Sequence, residues 1–288
     1  MRGLRMICLV CAVIALVALS GCIKKEKEGE IFVGGTEGLS FSFVSPEQQV
    51  FAGEPFNIVL KVQNMGEFEI PSGSINFTLQ DANKFDISEN TKTNTVNLLG
   101  RKIRGEEVIS EGGTTFITWE NANLNPLIIT EKQEVPLSII VKYPYNTLTV
   151  VPDACTSLSS EICQPTGEKS IKNSGAPIHI KSYKQTVIKS GGGVKLKFAF
   201  IVENVGSGKV SSDSEFKLEN LDSVNITNIT FSGIPFDVSK ACGSNTFSIG
   251  EEYWCTLENV SGETRAQLVL NTSYWYQEIA SMKISVLT

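Results

Sequence analysis

The chain has 288 residues, 41% of them hydrophobic and 19% charged, with one histidine and a formal charge of −6 from 31 acids against 25 bases. That apolar content supports a packed core and excludes disorder along the whole length, while the lack of any long basic run excludes nucleic acid as a partner. A single imidazole, His179, cannot build a multi-histidine metal or haem site and has no Ser-His-Asp context, so the composition points away from an enzyme and calls for no cofactor.

Arg2 and Arg5 precede an uncharged apolar run, Met6 to Leu19, that closes on Leu19-Ser20-Gly21-Cys22. This layout predicts an export signal over residues 1–21, because the run stops short of the roughly 20 apolar residues that span a bilayer. The tetrapeptide resembles the lipobox of prokaryotic lipoproteins. That resemblance implies cleavage before Cys22, a diacylglyceryl group on its thiol, and anchoring to the outer face of the cell membrane. An uncleaved signal anchor with a chance cysteine is the alternative. Loss of Arg2 and Arg5 leaves a mature charge of −8, which anionic headgroups repel. Residues 22–36, with mixed charges and Gly34-Gly35, then read as a flexible tether.

Two segments repeat. Phe56-Asn-Ile-Val-Leu-Lys-Val-Gln-Asn64-Met65-Gly66 is echoed 140 residues later by Leu196-Lys-Phe-Ala-Phe-Ile-Val-Glu-Asn204-Val205-Gly206. Alternation places Phe56, Ile58, Leu60 and Val62, and likewise Leu196, Phe198, Phe200 and Val202, on one face of a strand. Each strand ends in Asn-x-Gly, whose residues tolerate positive φ and predict a turn. The segments Leu137 to Tyr145 and Leu268 to Tyr276 also match, at an offset of 131. We therefore expect two tandem domains, residues 37–151 and 177–288, each on the order of 110 residues. Residues 152–176, rich in Ser, Pro and Gly, form the connector.

Further strands are expected at 40–44, 74–79, 115–119, 178–183, 215–218, 225–231 and 282–287. Short β-branched and aromatic runs without a sustained helical period predict an all-β fold, two tandem immunoglobulin-like sandwiches. The stretch Ser45-Pro46 through Val50-Phe51-Ala52-Gly53-Glu54-Pro55-Phe56, followed by the Asn64-Met65-Gly66 turn, resembles the CARDB class of extracytoplasmic domains of bacteria and archaea. The second copy keeps Gly193 and Asn204-Val205-Gly206 but lacks the Ser-Pro opening. The resemblance implies a surface location with adhesive or scaffold roles, and it carries no catalytic residue.

Cys8 and Cys11 fall in the signal and Cys22 takes the lipid, so four cysteines remain. Local pairing, Cys155 with Cys163 and Cys242 with Cys255, closes loops worth roughly 2.5–3 kcal/mol each. Zinc is the competing reading, but the spacings lack a close C-x2–4-C pair. Sequons at Asn76, Asn225, Asn228, Asn259 and Asn271 are candidates for N-glycosylation, which favours an archaeal host. Tyr274, Trp275 and Tyr276 are candidates for a ligand or interface surface, since aromatic faces stack on sugars and fill interfaces. The acidic clusters 81–86 and 213–215 match no known calcium loop and read as solvated acids. Adjacent strand residues face opposite ways, so Glu106-Glu107 and Glu251-Glu252 form no carboxylate pair.

The functional expectation is a lipid-anchored surface module, for adhesion or envelope scaffolding, whose partner is an envelope protein or glycan. Alternatives are a subunit or accessory of an envelope filament or surface layer, and a carbohydrate-binding accessory protein.

Overall fold

The computed structural model describes residues 32–104, 107–126, 131–191, 193–260 and 264–287. The expected signal, Cys22, Glu106 and the first part of the tether lie outside the described residues. The fold is all-β. In chain order the strands are β1 (Leu39–Ser45), β2 (Gln49–Phe51), β3 (Phe56–Asn64), β4 (Asn76–Leu79), β5 (Thr91–Thr93), β6 (Lys102–Arg104), β7 (Glu107–Ser110), β8 (Thr114–Ala122), β9 (Gln133–Cys155), β10 (Thr166–Glu168), β11 (Lys172–Asn173), β12 (Ile178–Ser190), β13 (Gly193–Asn204), β14 (Lys209–Ser211), β15 (Ser223–Phe231), β16 (Ile234–Phe236), β17 (Thr246–Ser248), β18 (Glu252–Val260) and β19 (Arg265–Leu287). One short helix, α1 (Val238–Cys242), starts at Asp237, whose side chain accepts from the Lys240 N–H, and ends at Gly243 with φ of 77°.

The two repeated segments form β3 and β13, central in separate antiparallel sheets ordered β1-β3-β8 and β10-β12-β13-β18. Their inward residues, Ile58, Leu60 and Val62 in one and Leu196, Phe198, Phe200 and Val202 in the other, are fully buried. A third, long sheet has the order β16-β15-β19-β9-β4-β5 and runs through both halves of the molecule. Its spine is the antiparallel pair β9 and β19, which runs from Arg265 opposite Cys155 to Val286 opposite Gln133 with one register shift between Ala266 and Leu268.

Each long strand passes from its own repeat into the other. The first part of β9 pairs with β4 and the later part with the start of β19, whereas β19 begins beside β15 and ends in parallel pairing with β2 at Val286 and Val50. The expected boundary at 151 therefore falls inside β9, and the expected strand 282–287 is the tail of β19. Buried residues of both halves form one continuous core.

The expected strand at 215–218 is absent. Asp213 accepts from the Glu215 and Phe216 N–H groups, each at 3.0 Å, Phe216 has a φ of 56°, and a short 3-10 turn follows at Leu218–Asn220. A carboxylate that satisfies consecutive local N–H groups competes with sheet pairing, and here it wins.

Candidate functional site

The β9–β19 ladder carries a pseudo-twofold relation. Tyr143 stands opposite Tyr276, Tyr145 opposite Tyr274, and Pro144 opposite its own counterpart Trp275. The four tyrosines are inward and at most 1% exposed, and their rings form a closed circuit with centroids 5.9–6.3 Å apart. Such edge and tilted contacts add about 0.5–1.5 kcal/mol per pair to the burial term.

Every hydroxyl in the cluster is bonded. Tyr145 Oη donates to Asn64 Oδ1 at 3.0 Å and Tyr276 Oη to Asn204 Oδ1 at 2.9 Å, so the Asn of each repeated turn receives the last tyrosine of its own repeat. Tyr143 donates to Glu278 Oε2 at 2.6 Å, and the Tyr274 hydroxyl shares a bond with Thr147 Oγ1 at 3.0 Å. Burial pushes the Tyr276 hydroxyl up to about 12 and raises the other three as well.

The turn glycines need correction. Gly66 and Gly206 do not have positive φ; a Cβ at either would overlap the hydroxyl of Tyr145 or Tyr276. Glycine is required there so that the tyrosine can reach the turn. The expectation for Tyr274 and Tyr276 is also overturned, because both are sealed in the core and present nothing to a ligand. Trp275 points to the opposite face of β19, half-buried, with Pro144 on one side and Ser211 of β14 on the other.

Glu278 is the carboxylate that accepts a hydrogen bond from the tyrosine cluster. Burial raises its pKa, with the Tyr143 bond acting in the opposite sense and nearby Glu37 adding to the rise. A folded pKa above the unfolded one means the group favours folding at acid pH, a contribution lost as pH rises from the ordinary 4.5 through the raised value. The equivalent place in the first repeat is filled by neutral Thr147. Glu278→Gln is therefore expected to stabilise the chain by about 1 kcal/mol at pH 7. Urea unfolding should show this gain shrinking towards pH 4.

The expected tether is shorter than its composition suggests. Glu67 accepts from Val33 N at 2.9 Å, Gly34 N at 3.1 Å and Gly175 N at 2.5 Å, and Ala176 N donates to Gly35 O at 3.2 Å. One carboxylate thus clamps Val33 and Gly34 to Gly175 at the end of the connector, so residues 33–35 of the expected tether belong to the fold.

Both disulfides join the local pairs, Cys155 to Cys163 and Cys242 to Cys255. Among the described residues no three His, Cys, Asp or Glu side chains are grouped to hold a metal ion. Lys84 pairs with Asp81, Glu252 with Lys184, and Glu251 accepts from the Tyr253 hydroxyl. His179 stands on β12 opposite Glu203, where burial lowers its pKa against neighbouring backbone acceptors.

The sequons separate by environment. Asn225 uses its amide internally, donating to Ser212 O and accepting from Thr246 Oγ1. Asn228 and Asn271 are direct cross-strand partners, Asn76 lies within β4, and Asn259 is exposed near the end of β18 with a φ of 53°. A cleft of about 510 Å³ is bounded by Asp86, Glu89 and Lys92 on one side and Thr118–Asn121 of β8 on the other. No protein-family model matches the chain, and no curated protein matches it.

Proposed function

We propose that this chain is a lipid-anchored surface module that presents two immunoglobulin-like sandwiches in the cell envelope, with adhesive or scaffolding work as its role. Two disulfides in a chain that opens on an export signal carry the reading, because such bridges persist in oxidising, extracytoplasmic compartments. Among the described residues no helix is long and apolar enough to cross a membrane. The sandwich reading is supported by the two antiparallel sheets β1-β3-β8 and β10-β12-β13-β18, each holding one copy of the repeated strand and each contributing inward residues to the core.

Display is the mechanism. The diacylglyceryl chains hold through about 0.8 kcal/mol per buried methylene, the Glu67 clamp limits the tether to residues 22–32, and that span reaches at most roughly 40 Å when extended. A short leash and a mature charge of −8 support a position near the membrane without contact with its headgroups. The CARDB resemblance agrees with this placement. Cys22→Ser is expected to accumulate as an uncleaved, unlipidated precursor. Normal processing of that variant, read by gel mobility and detergent partition, would remove the lipoprotein reading.

A further inference from the structure

The end of β8 breaks the alternation of its own strand. Trp119 pairs with Ile58 and Ala122 with Phe56, so three steps on β8 oppose two on β3, and a bulge forms at Glu120 and Asn121, the latter with a φ of 57°. Asn57 Oδ1 holds it by accepting from Asn121 N–H at 3.2 Å. Both bulge side chains are exposed, and with Thr118 they form one wall of the 510 Å³ cleft. Bulges recur beside binding sites because they re-aim a side chain. The facing wall, Asp86 to Glu89, follows the 3-10 turn Ala82–Phe85. Buried Phe85 anchors that turn, and its carbonyl oxygen accepts from Asn123 N–H at 2.9 Å. Core packing and backbone bonds therefore fix both walls before any ligand arrives.

Trp119 lines the cleft, is 1% exposed, and its buried Nε1–H has no partner. A second cleft, of about 390 Å³, shares Asp86 and is lined further by Asn83, Asn123 and Asn125. Asn123 Oδ1 is likewise buried without a partner. An unmet donor and an unmet acceptor thus border two adjoining clefts, on the order of 10 Å apart along the chain. Such atoms are rare in folded proteins, and each costs free energy until a partner satisfies it. The shared core does not demand the tryptophan, because the register-equivalent residue of the second repeat is Cys255, bonded to Cys242.

Charge and hydrogen bonding select the ligand. Lys92 pairs with Glu89 at 3.1 Å and Lys84 with Asp81 at 2.6 Å, which leaves Asp86 and Glu120 as carboxylates without a partner among the described residues. They repel phosphates and uronates. An ammonium group or a metal ion would suit them, but neither offers an acceptor to the indole N–H. A hydroxyl donates to the carboxylates and to Asn123 Oδ1, and it accepts from the indole. We propose that the two clefts bind a neutral oligosaccharide of more than one ring, with Asp86, Glu120 and Asn121 taking its hydroxyls. The site stands independently of the lipid anchor.

Calorimetric titration of the full chain, in a detergent without a sugar headgroup, tests it. The probes are short neutral oligosaccharides of hexose and N-acetylhexosamine units, with oligogalacturonate and spermine as charged counterparts. A neutral probe is expected to bind and both charged probes to fail. Glu120→Ala and Asp86→Asn should each weaken binding about tenfold or more, the effect of losing a charge-assisted hydrogen bond. Both residues are exposed, so the urea midpoint should not move. Trp119→Phe, which keeps an aromatic ring and removes the N–H, should weaken binding as well. Trp254→Ala, at a tryptophan 48% exposed on β18, should leave it unchanged and so separates the cleft from stacking on an exposed indole. Failure of every neutral probe, preference for a charged one, or binding that depends on Trp254 and ignores Glu120→Ala and Asp86→Asn would overturn the proposal.

Discussion

Replacing Gly66 with alanine is expected to destabilise the chain by about 3 kcal/mol, the upper range for forcing added volume into a packed site. The added methyl would meet the Tyr145 hydroxyl, the Gly175 carbonyl oxygen and the Glu37 carbonyl oxygen together. Only the first belongs to a side chain, so little of the overlap can be relieved by a rotamer change. The Asn64 turn would also shift, and Asn64 Nδ2 donates to Phe68 O at 2.6 Å and Leu98 O at 3.2 Å. Gly206→Ala meets the Tyr276 hydroxyl and the Pro177 ring, with a similar expected loss. Urea denaturation gives both values. Adding Tyr145→Phe to Gly66→Ala should recover part of the loss, since contacts that share a site couple. A Gly66→Ala chain as stable as the native one would show that the tyrosine-to-turn contact is loose.

The second large effect belongs to the bridges. Cys155–Cys163 and Cys242–Cys255 span separations of 8 and 13 residues, and each is worth about 3 kcal/mol. Serine replacement of both pairs together is expected to cost about 6 kcal/mol, comparable with the entire stability of a marginal fold, about 5–15 kcal/mol. That variant should unfold at growth temperature. The single-pair variants should remain folded, with Cys242→Ser/Cys255→Ser freeing α1 from β18. Denaturant midpoints with light scattering measure both consequences. Equal midpoints with and without reductant would contradict the entropic account.

Much of the architecture is legible in the residues. The alternation in Ile58, Leu60 and Val62 and in Phe198, Phe200 and Val202 reports buried strand faces, and the paired turns and paired Tyr-x-Tyr segments report the repeat. What stays hidden is which repeated features touch. Asn64 and Tyr145 are 81 positions apart, so the 140-residue and 131-residue echoes look independent until the turn and the strand meet. The lengths of β9 and β19 are masked by polar inward residues: Thr147, Thr149 and Thr272 are at most 1% exposed, yet they break the apolar pattern.

Local chemistry explains the other differences. Glu67 looks like a solvated turn acid, and its three N–H partners are supplied by segments 33 residues before it and 108 after it. The stretch 215–218 alternates like a strand, but Asp213 captures its backbone first. Trp275 and its neighbours have the composition of a binding surface. Period two then sends Tyr274 and Tyr276 into the waist and leaves only Trp275 on the outer face.

The central claim is attachment of this disulfide-bonded, all-β chain to the membrane through its first mature residue. Mass spectrometry of the N-terminal peptide, taken from protein extracted from its own membranes, addresses that directly. The account predicts a peptide beginning at Cys22 and carrying a diacylglyceryl adduct; a peptide that retains Met1, or one that begins at Cys22 without lipid, would contradict it.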